Sequence, residues 1–230
     1  MPNNANNGRT CAVLFDLDGT FADTAPDLAY ALNRVLESNG REPKPFDAIR
    51  PHVSHGGMAL IRFGFDMDPT ETEFDGLRRS LLDVYQNNIA RETRLFPGML
   101  ELIESLEQRD IPWGIVTNKP AWLTDPLMAE LGFSERAHCI ISGDTTAHAK
   151  PHPEPILHAC RLLGIDPADC WYLGDAQRDI DAGLAAGTRT LVAGFGYLAE
   201  QDDPLSWGAD GIIEHPLETL DWLDGNRPDG

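Results

Sequence analysis

The stretch that decides the fold reads CAVLFDLDGT and occupies residues 11–20. It begins with five apolar residues and ends in an acidic turn that contains a glycine. Short, almost continuous apolar runs are typical of strands that are covered on both faces in a parallel sheet. The turn then places Asp16 and Asp18 at the C-terminal edge of the strand, where open α/β sheets bind their ligands.

Similar runs recur along the chain and alternate with helical patterns. Three further runs look like buried strands, and two shorter ones could extend the sheet: residues 112–117, 138–142, 170–174, 189–193 and 211–213. Helical patterns lie between or after them, at residues 99–109, 122–131, 156–163, 180–186 and 217–223. This alternation predicts an α/β fold with a doubly wound parallel-sheet, Rossmann-like core and right-handed crossovers.

Residues 22–96 break the alternation, because helical patterns are present there and strand patterns are few. The segment is far longer than an ordinary loop. Thr24 and Asp27 predict a capping box at the start of one helix, and Gly40 predicts its end. A second helix is predicted from about residue 74 to residue 89.

The economical interpretation is a helical cap domain, residues 22–96, inserted into the α/β core after its first strand. Its two connections to the core, near residues 21–24 and 94–98, could act as a hinge. The core would then comprise residues 11–21 and 97–224, and disordered tails are expected at residues 1–10 and 225–230.

The charge balance limits the partners. Thirty-seven Asp and Glu against 18 Lys and Arg give a formal net charge of −19. Such a field repels phosphate backbones and anionic lipid headgroups, so neither nucleic acid nor a membrane is expected as a partner. It would also repel a small phosphorylated substrate, so that activity would need a bound cation or a local basic cluster.

The four cysteines form no C-x-x-C pair and lie mostly in apolar runs, which indicates buried free thiols in a reducing compartment. No stretch approaches the roughly 18 apolar residues of a membrane span, and residues 1–10 are polar, so no secretory leader is expected. A cytoplasmic location is therefore expected.

The acidic turn carries the strongest chemical signal. Two carboxylates at positions i and i+2 of an extended segment point to the same side and repel each other, which favours a divalent cation or a raised pKa. Gly19 would let backbone approach closely. An EF-hand is excluded, because Phe21 and Asp27 stand where Gly and Glu are required. For this motif alone, an acidic turn without chemistry stays an alternative.

Three further segments could converge on this turn. Thr117 and Asn118 end the second strand with a hydroxyl and an amide that could bind phosphate oxygens. Lys150 lies in a proline-rich loop, and Asp175 and Asp179 follow another strand. Each has a structural alternative: Thr is common in strands, Lys is usually solvated, and Asp179 could cap a helix.

Taken in order, DLDGT, the strand-ending Thr117, the Lys150–Pro loop and GDAQRD resemble the four motifs of the haloacid dehalogenase-like hydrolase superfamily. The insert resembles the helical cap of its first class. DTAPDL, VTNKP, KPHPEP and GTRT are similar to phosphoglycolate phosphatase-like enzymes. The segment after residue 195 is similar to the N-acetylmuramic acid 6-phosphate phosphatase branch. Phe21 departs from the family, which usually has Leu there.

The resemblance implies a phosphatase in which Asp16 attacks phosphorus to form an aspartyl-phosphate. Asp18 would protonate the leaving alkoxide and then deprotonate the attacking water. The implied cofactor is Mg²⁺, held by Asp16, Asp175 and the backbone carbonyl of Asp18. The implied phosphate ligands are Thr117, Asn118, Lys150, Gly19 and Thr20, and Asp179 would orient Lys150 or metal-bound water.

Specificity is expected from residues 50–57, which are predicted to form a loop between two cap helices. Arg50 or His55 is predicted to contact the carboxylate or sugar of the substrate, and Gly56 and Gly57 to let backbone approach it. The implied substrate is a small phosphorylated acid or sugar acid, either N-acetylmuramic acid 6-phosphate or 2-phosphoglycolate.

Several alternatives stay open or are disfavoured. A sugar phosphomutase would share the four core motifs, and a phospho-accepting receiver module would also group acids with a Thr and a Lys. A zinc pair of His148 and His152 is disfavoured by Pro151 between them, and a dinucleotide site at residues 194–199 lacks the helix it requires. The oligomeric state, monomer or homodimer, is left open.

Overall fold

The central sheet contains six parallel strands in the computed structural model, which describes residues 11–225. In sheet order they are β5 (Cys139–Ile141), β4 (Trp113–Val116), β1 (Ala12–Phe15), β6 (Cys170–Gly174), β7 (Arg189–Ala193) and β8 (Gly211–Ile213). Strands β4 and then β5 are added on one side of β1. The chain then returns to the other side of β1, where β6, β7 and β8 follow in order. The predicted α/β fold is confirmed, and the loops after β1, β4 and β6 meet where the strand order reverses.

Five helices of the core follow the predicted patterns: α5 (Met99–Gln108), α6 (Ala121–Glu130), α7 (Glu154–Leu163), α8 (Gln177–Ala186) and α9 (Thr219–Leu223). Helix α8 ends as expected, because Gly187 adopts a left-handed conformation with φ of +82°.

Side chains of the strands alternate between two hydrophobic clusters, as a sheet covered on both faces requires. Val13 and Phe15 belong to one cluster and Leu14 to the other. Phe21 is fully buried in the first cluster and stacks on Trp113, with ring centroids 5.6 Å apart. The hydrophobic core therefore accommodates phenylalanine at this position, where the family usually has leucine.

The inserted segment is helical, with α1 (Ala25–Ser38), α2 (Phe46–Ile49), α3 (Gly56–Phe65) and α4 (Phe74–Gln86). Two short strands, β2 (Ala22–Asp23) and β3 (Arg94–Leu95), pair antiparallel at the two places where connections were expected. The boundaries of core and cap, at residues 22 and 96, stay a prediction.

The capping box predicted for α1 is wrong, although the helix does begin there. The Thr24 hydroxyl donates a hydrogen bond to Asp18 Oδ1 over 2.6 Å instead of capping the helix. The Asp27 carboxylate accepts the backbone N–H groups of Glu92 and Thr93. Thr24 thus ties the start of α1 to the acidic turn, and Asp27 ties it to a segment 65 residues away that local sequence cannot reveal.

The loop predicted for residues 50–57 is also wrong. Arg50–His55 forms a 3₁₀ helix that leads into α3. Gly56 has φ of +74°, and this left-handed residue lets the chain change direction between the two helices.

Three of the four cysteines are buried and Cys11 is half-buried, and all are free thiols. None of the helices within residues 11–225 has the length and apolarity needed to cross a membrane. Of the tails predicted at residues 1–10 and 225–230, residues 1–10 and 226–230 lie outside the described residues, and Gly225 lies in a turn after α9.

Candidate active site

The carboxyl ends of the central strands bring the predicted residues together. Asp16 follows β1, Thr117 follows β4 and Asp175 follows β6, and all three side chains are buried. The backbone N–H of Asp16 donates to Leu173 O over 2.8 Å, which fixes the start of the acidic turn against β6. The site therefore lies at the edge of the sheet that the sequence indicated.

Lys150 lies at the centre of this site, and only 1% of its side chain is exposed. Its Nζ lies 2.8 Å from Asp16 Oδ1 and 2.7 Å from Asp179 Oδ1. It also donates to Val116 O over 2.8 Å and to the Tyr172 hydroxyl over 2.7 Å. A solvated lysine is thereby excluded, and the ion pair with Asp179 is compatible with the prediction that Asp179 orients Lys150.

The Asn118 side chain has a different role from the predicted phosphate contact. Its Nδ2 donates to Lys150 O over 2.8 Å, and its Oδ1 accepts the Lys150 N–H over 2.9 Å. Both ends of the amide are thus used to position the lysine loop. The Thr117 hydroxyl accepts the Lys119 N–H over 3.1 Å and still has its proton to donate.

Burial and repulsion raise the basicity of the carboxylates. Burial, together with the charges of Asp16 and Asp179, raises the pKa of Asp175 to about 7, although hydrogen bonds from Ser54 and Tyr197 oppose this. Burial also raises the pKa of Asp16, and the ammonium of Lys150 opposes this change. More negative charge is buried here than one lysine compensates.

The same cluster fits a divalent cation. Carboxylate oxygens of Asp16, Asp175 and Asp179 lie within 4.8 Å of one another. Asp175 Oδ1 is buried without a hydrogen-bond partner in the part of the chain that the structure describes. A buried acceptor without a donor is what a bound cation would satisfy, and an oxygen-only set suits a hard ion such as Mg²⁺.

The Asp18 carboxylate stands apart from that cluster, because it accepts hydrogen bonds from Thr24 and Lys119. Only its backbone carbonyl is left for the metal role implied for this residue. The Asp179 carboxylate is engaged by Lys150 and by the Ala176 N–H, over 3.1 Å.

Gly19 and Thr20 lie behind the acidic turn, away from the cavity. A Cβ on Gly19, which has φ of +89°, would overlap the carboxylate of Asp175 and the ring of Tyr197. Thr20 is fully buried, and its hydroxyl has no partner among residues 11–225. Neither residue is among those that line the cavity, and the phosphate contacts predicted for them stay a prediction.

A cavity of about 320 Å³ opens above the site. Its floor includes Asp16, Asp18, Thr117 and Lys119, and the inserted helices form the opposite wall. The predicted specificity residues His55, Gly56 and Gly57 belong to that wall.

Arg50 does not line this cavity. Its Nη1 donates to both carboxylate oxygens of Asp23, at 2.9 and 3.0 Å, and the guanidinium lies 4.6 Å from the ring centroid of Tyr197. The substrate contact predicted for Arg50 is therefore replaced by an ion pair with the connection between insert and core.

The family model described as haloacid dehalogenase-like hydrolase matches residues 13–193, which is most of the chain. The chain is a haloacid dehalogenase-like hydrolase. The resemblance of the four motifs is confirmed at the level of the family.

Relatives of this hydrolase carry phosphatase names. It is 41% identical to an N-acetylmuramic acid 6-phosphate phosphatase of Pseudomonas putida, over 94% of this chain and 97% of the relative. It is 39% identical to a phosphoglycolate phosphatase of Xylella fastidiosa, over 94% and 95%. A crystal structure of a predicted phosphoglycolate phosphatase from Haemophilus somnus matches with a TM-score of 0.82 and 26% identity, over 92% and 97%. The prediction of an enzyme of the phosphatase class is confirmed.

Sequence reasoning gave no role to two cations of the hydrolase site. Lys119 Nζ lies 2.6 Å from Asp18 Oδ1 and 4.8 Å above the ring of Tyr85. Arg178 donates to Ser54 O over 2.5 Å, which joins α8 to the inserted segment. Both lie inside motifs already quoted, VTNKP and GDAQRD. The scarcity of lysine, three in the whole chain, was the available signal for Lys119.

Proposed function

We propose that this hydrolase is a Mg²⁺-dependent phosphomonoesterase that hydrolyses N-acetylmuramic acid 6-phosphate through an aspartyl-phosphate on Asp16. The observation that carries the proposal is the buried Asp16–Lys150 pair at the floor of a cavity that the inserted helices close. The second candidate substrate is 2-phosphoglycolate.

Asp16 would act as the nucleophile. A carboxylate oxygen forms a bond to phosphorus while the bond from phosphorus to the ester oxygen breaks. Asp18 gives its proton to the departing alkoxide. It then takes a proton from water, whose oxygen attacks phosphorus and releases inorganic phosphate and the Asp16 carboxylate.

The remaining groups would hold the phosphoryl group. Thr117 donates its free hydroxyl proton, and Lys150, fixed by Asn118 and Asp179, places positive charge beside Asp16. Mg²⁺ held by Asp16, Asp175 and the Asp18 carbonyl would supply further positive charge to the phosphoryl oxygens. Such a local positive field is what a chain of net charge −19 needs to bind an anion.

Two observations favour the sugar acid over the two-carbon acid. Two relatives that are 41% and 40% identical are named N-acetylmuramic acid 6-phosphate phosphatases. The cavity of about 320 Å³ also reaches the range of about 300–1,000 Å³ that is usual for larger ligands. Leu28, Met58 and Leu82 give it an apolar side that suits a sugar ring.

Phosphate release should be metal-dependent and selective. With Mg²⁺ we expect N-acetylmuramic acid 6-phosphate to be hydrolysed with a higher kcat/KM than 2-phosphoglycolate or glucose 6-phosphate. EDTA should abolish release, because the three buried carboxylates then lack a compensating cation. A preference for 2-phosphoglycolate would select the second substrate, and no release from any of the three would contradict phosphatase activity and favour a mutase.

Replacement of Asp18 by Asn should depend on the leaving group. We expect kcat to fall about 10²- to 10⁴-fold on the sugar phosphate, whose alkoxide needs a proton, and much less on p-nitrophenyl phosphate. Asp23→Asn is the control, because Asp23 pairs with Arg50 outside the cavity. Equal losses on both substrates would contradict acid catalysis by Asp18.

A further inference from the structure

Three cationic side chains line the cavity, and two of them are already engaged. Lys119 pairs with Asp18, and Arg178 donates to Ser54 O. The third, Arg78, makes no hydrogen bond and no ion pair with any residue of the described range 11–225. In a chain of net charge −19, this guanidinium is available to an anion from outside the protein.

Arg78 belongs to a face of α4 that is turned toward the cavity. Arg78, Leu82 and Tyr85 all line it, and their spacing of four and then three residues places them on one side of the helix. Leu77 and Leu81, each directly before a cavity residue, are buried in the hydrophobic core. One face of α4 therefore packs against the hydrophobic core, and the neighbouring face lines the cavity.

The two ends of this face differ in what they contact. Tyr85 lies beneath Lys119, which holds Asp18, so its end of α4 is next to the catalytic floor. Arg78 lies seven residues earlier, which corresponds to about 10 Å along a helix axis. The free cation is thus placed well away from the position where the phosphoryl group would react.

A second polar group on the same face also lacks a partner. The Tyr85 hydroxyl is buried, and no residue within the described part of the chain forms a hydrogen bond with it. Opposite the Arg78 end, a Cβ on Gly57 would lie 3.8 Å from Arg78 Cγ and 3.4 Å from Leu82 Cδ2. Gly57 therefore faces the aliphatic stem of Arg78 across the cavity, and a larger side chain there would contact that stem.

We propose that Arg78 forms a carboxylate-binding subsite at the end of the cavity remote from Asp16. The proposal rests on the proposed function, and it specifies the substrate class: a sugar phosphate whose second anionic group lies across the ring from the phosphate. A guanidinium binds a carboxylate through two parallel N–H···O bonds, which gives orientation as well as affinity. In a two-carbon acid the carboxylate lies too close to phosphorus to reach both ends of α4.

The test compares two sugars that differ only in the lactyl ether that carries the carboxylate. N-acetylmuramic acid 6-phosphate carries a lactyl ether that N-acetylglucosamine 6-phosphate lacks. Arg78→Met is expected to lower kcat/KM for the first sugar about 10- to 100-fold, mainly through KM, and to leave the second within about twofold. Arg78→Lys should recover part of the loss, because it restores the charge without the paired N–H groups.

Arg79→Met is the matched control. Arg79 is the adjacent arginine on α4, does not line the cavity, and donates to Asp75 O over 3.4 Å. It should leave kcat/KM for both sugars unchanged. If Arg78→Met and Arg79→Met lower kcat/KM equally, the loss comes from the change in net charge and not from a specific contact. That outcome would overturn the subsite.

Hydrolysis of p-nitrophenyl phosphate separates the two levels of the proposal. If the wild-type enzyme prefers N-acetylmuramic acid 6-phosphate and Arg78→Met retains that preference, the subsite is wrong and the proposed function stands. If the wild type turns over the aryl phosphate but does not distinguish the two sugars, both the subsite and the proposed substrate are wrong. Absence of turnover on every substrate overturns the phosphatase mechanism itself.

Discussion

Asp16→Asn is expected to abolish turnover, with a fall in kcat of about 10⁴-fold or more, because a carboxamide cannot attack phosphorus. The change keeps the shape of the side chain and leaves an oxygen that can accept from Lys150. Lys150 also keeps Asp179, Val116 O and the Tyr172 hydroxyl. The fold should therefore persist, and phosphate release from p-nitrophenyl phosphate, measured with the thermal unfolding midpoint, separates lost chemistry from lost structure.

The covalent intermediate gives an independent measurement. Acid quenching of the wild type during turnover of ³²P-labelled substrate should leave label on the peptide that contains Asp16. Asp18→Asn should still acquire label, most readily from an aryl phosphate, because its carboxamide impairs proton transfer and not attack. Label on another residue, or retained turnover by Asp16→Asn, would contradict the nucleophile assignment.

The sheet could be predicted from sequence because buried parallel strands show continuous apolar runs. Residues 170–174, for example, form β6 over their whole length. The convergence of the site follows from the same reasoning, since Asp16, Thr117 and Asp175 each follow such a run and parallel strands end at one edge. The helical insert was visible because its patterns are too long for a loop.

The partners of individual side chains could not be predicted in this way. Asn118 bonds the backbone of Lys150, 32 residues away, and Arg50 pairs with Asp23, 27 residues away. The type of a residue determines which hydrogen bonds its side chain can form. Which partner lies close enough to form them is determined only by the tertiary structure.

The use of polar side chains at a helix start shows the same limit. Thr24 fits the pattern of an N-cap, yet its hydroxyl is taken by Asp18. In an N-cap the side-chain oxygen would accept a backbone N–H of the first turn, whereas the Thr24 hydroxyl is oriented to donate a charge-assisted bond to the Asp18 carboxylate, so tertiary contact overrides local preference. Helix α1 begins where the sequence pattern predicts, but the Thr24 hydroxyl bonds to Asp18 and does not cap the helix.

Lys150→Met is expected to remove activity and to lower the free energy of unfolding by about 3–5 kcal/mol, the usual cost of leaving buried charge without its partner. Asp16 and Asp179 are 3% and 0% exposed, so water cannot replace the ammonium. Lys119→Met is the comparison variant, because it removes the ion pair of Asp18, whose side chain is 15% exposed. Urea unfolding should show the smaller loss of stability for Lys119→Met.

The pH dependence of this loss identifies its origin. Burial already raises the pKa of Asp16 in the wild type, and removal of Lys150 removes the first of the opposing charges. A carboxyl group whose pKa is raised in the folded state favours folding most at low pH and least once both states are ionised. The stability gap between Lys150→Met and wild type should therefore narrow as the pH falls below neutrality. If the difference in stability between Lys150→Met and wild type stays constant with pH, lost packing and not uncompensated charge is its cause. If Lys150→Met is as stable as the wild type at neutral pH, the central role of this ion pair is contradicted.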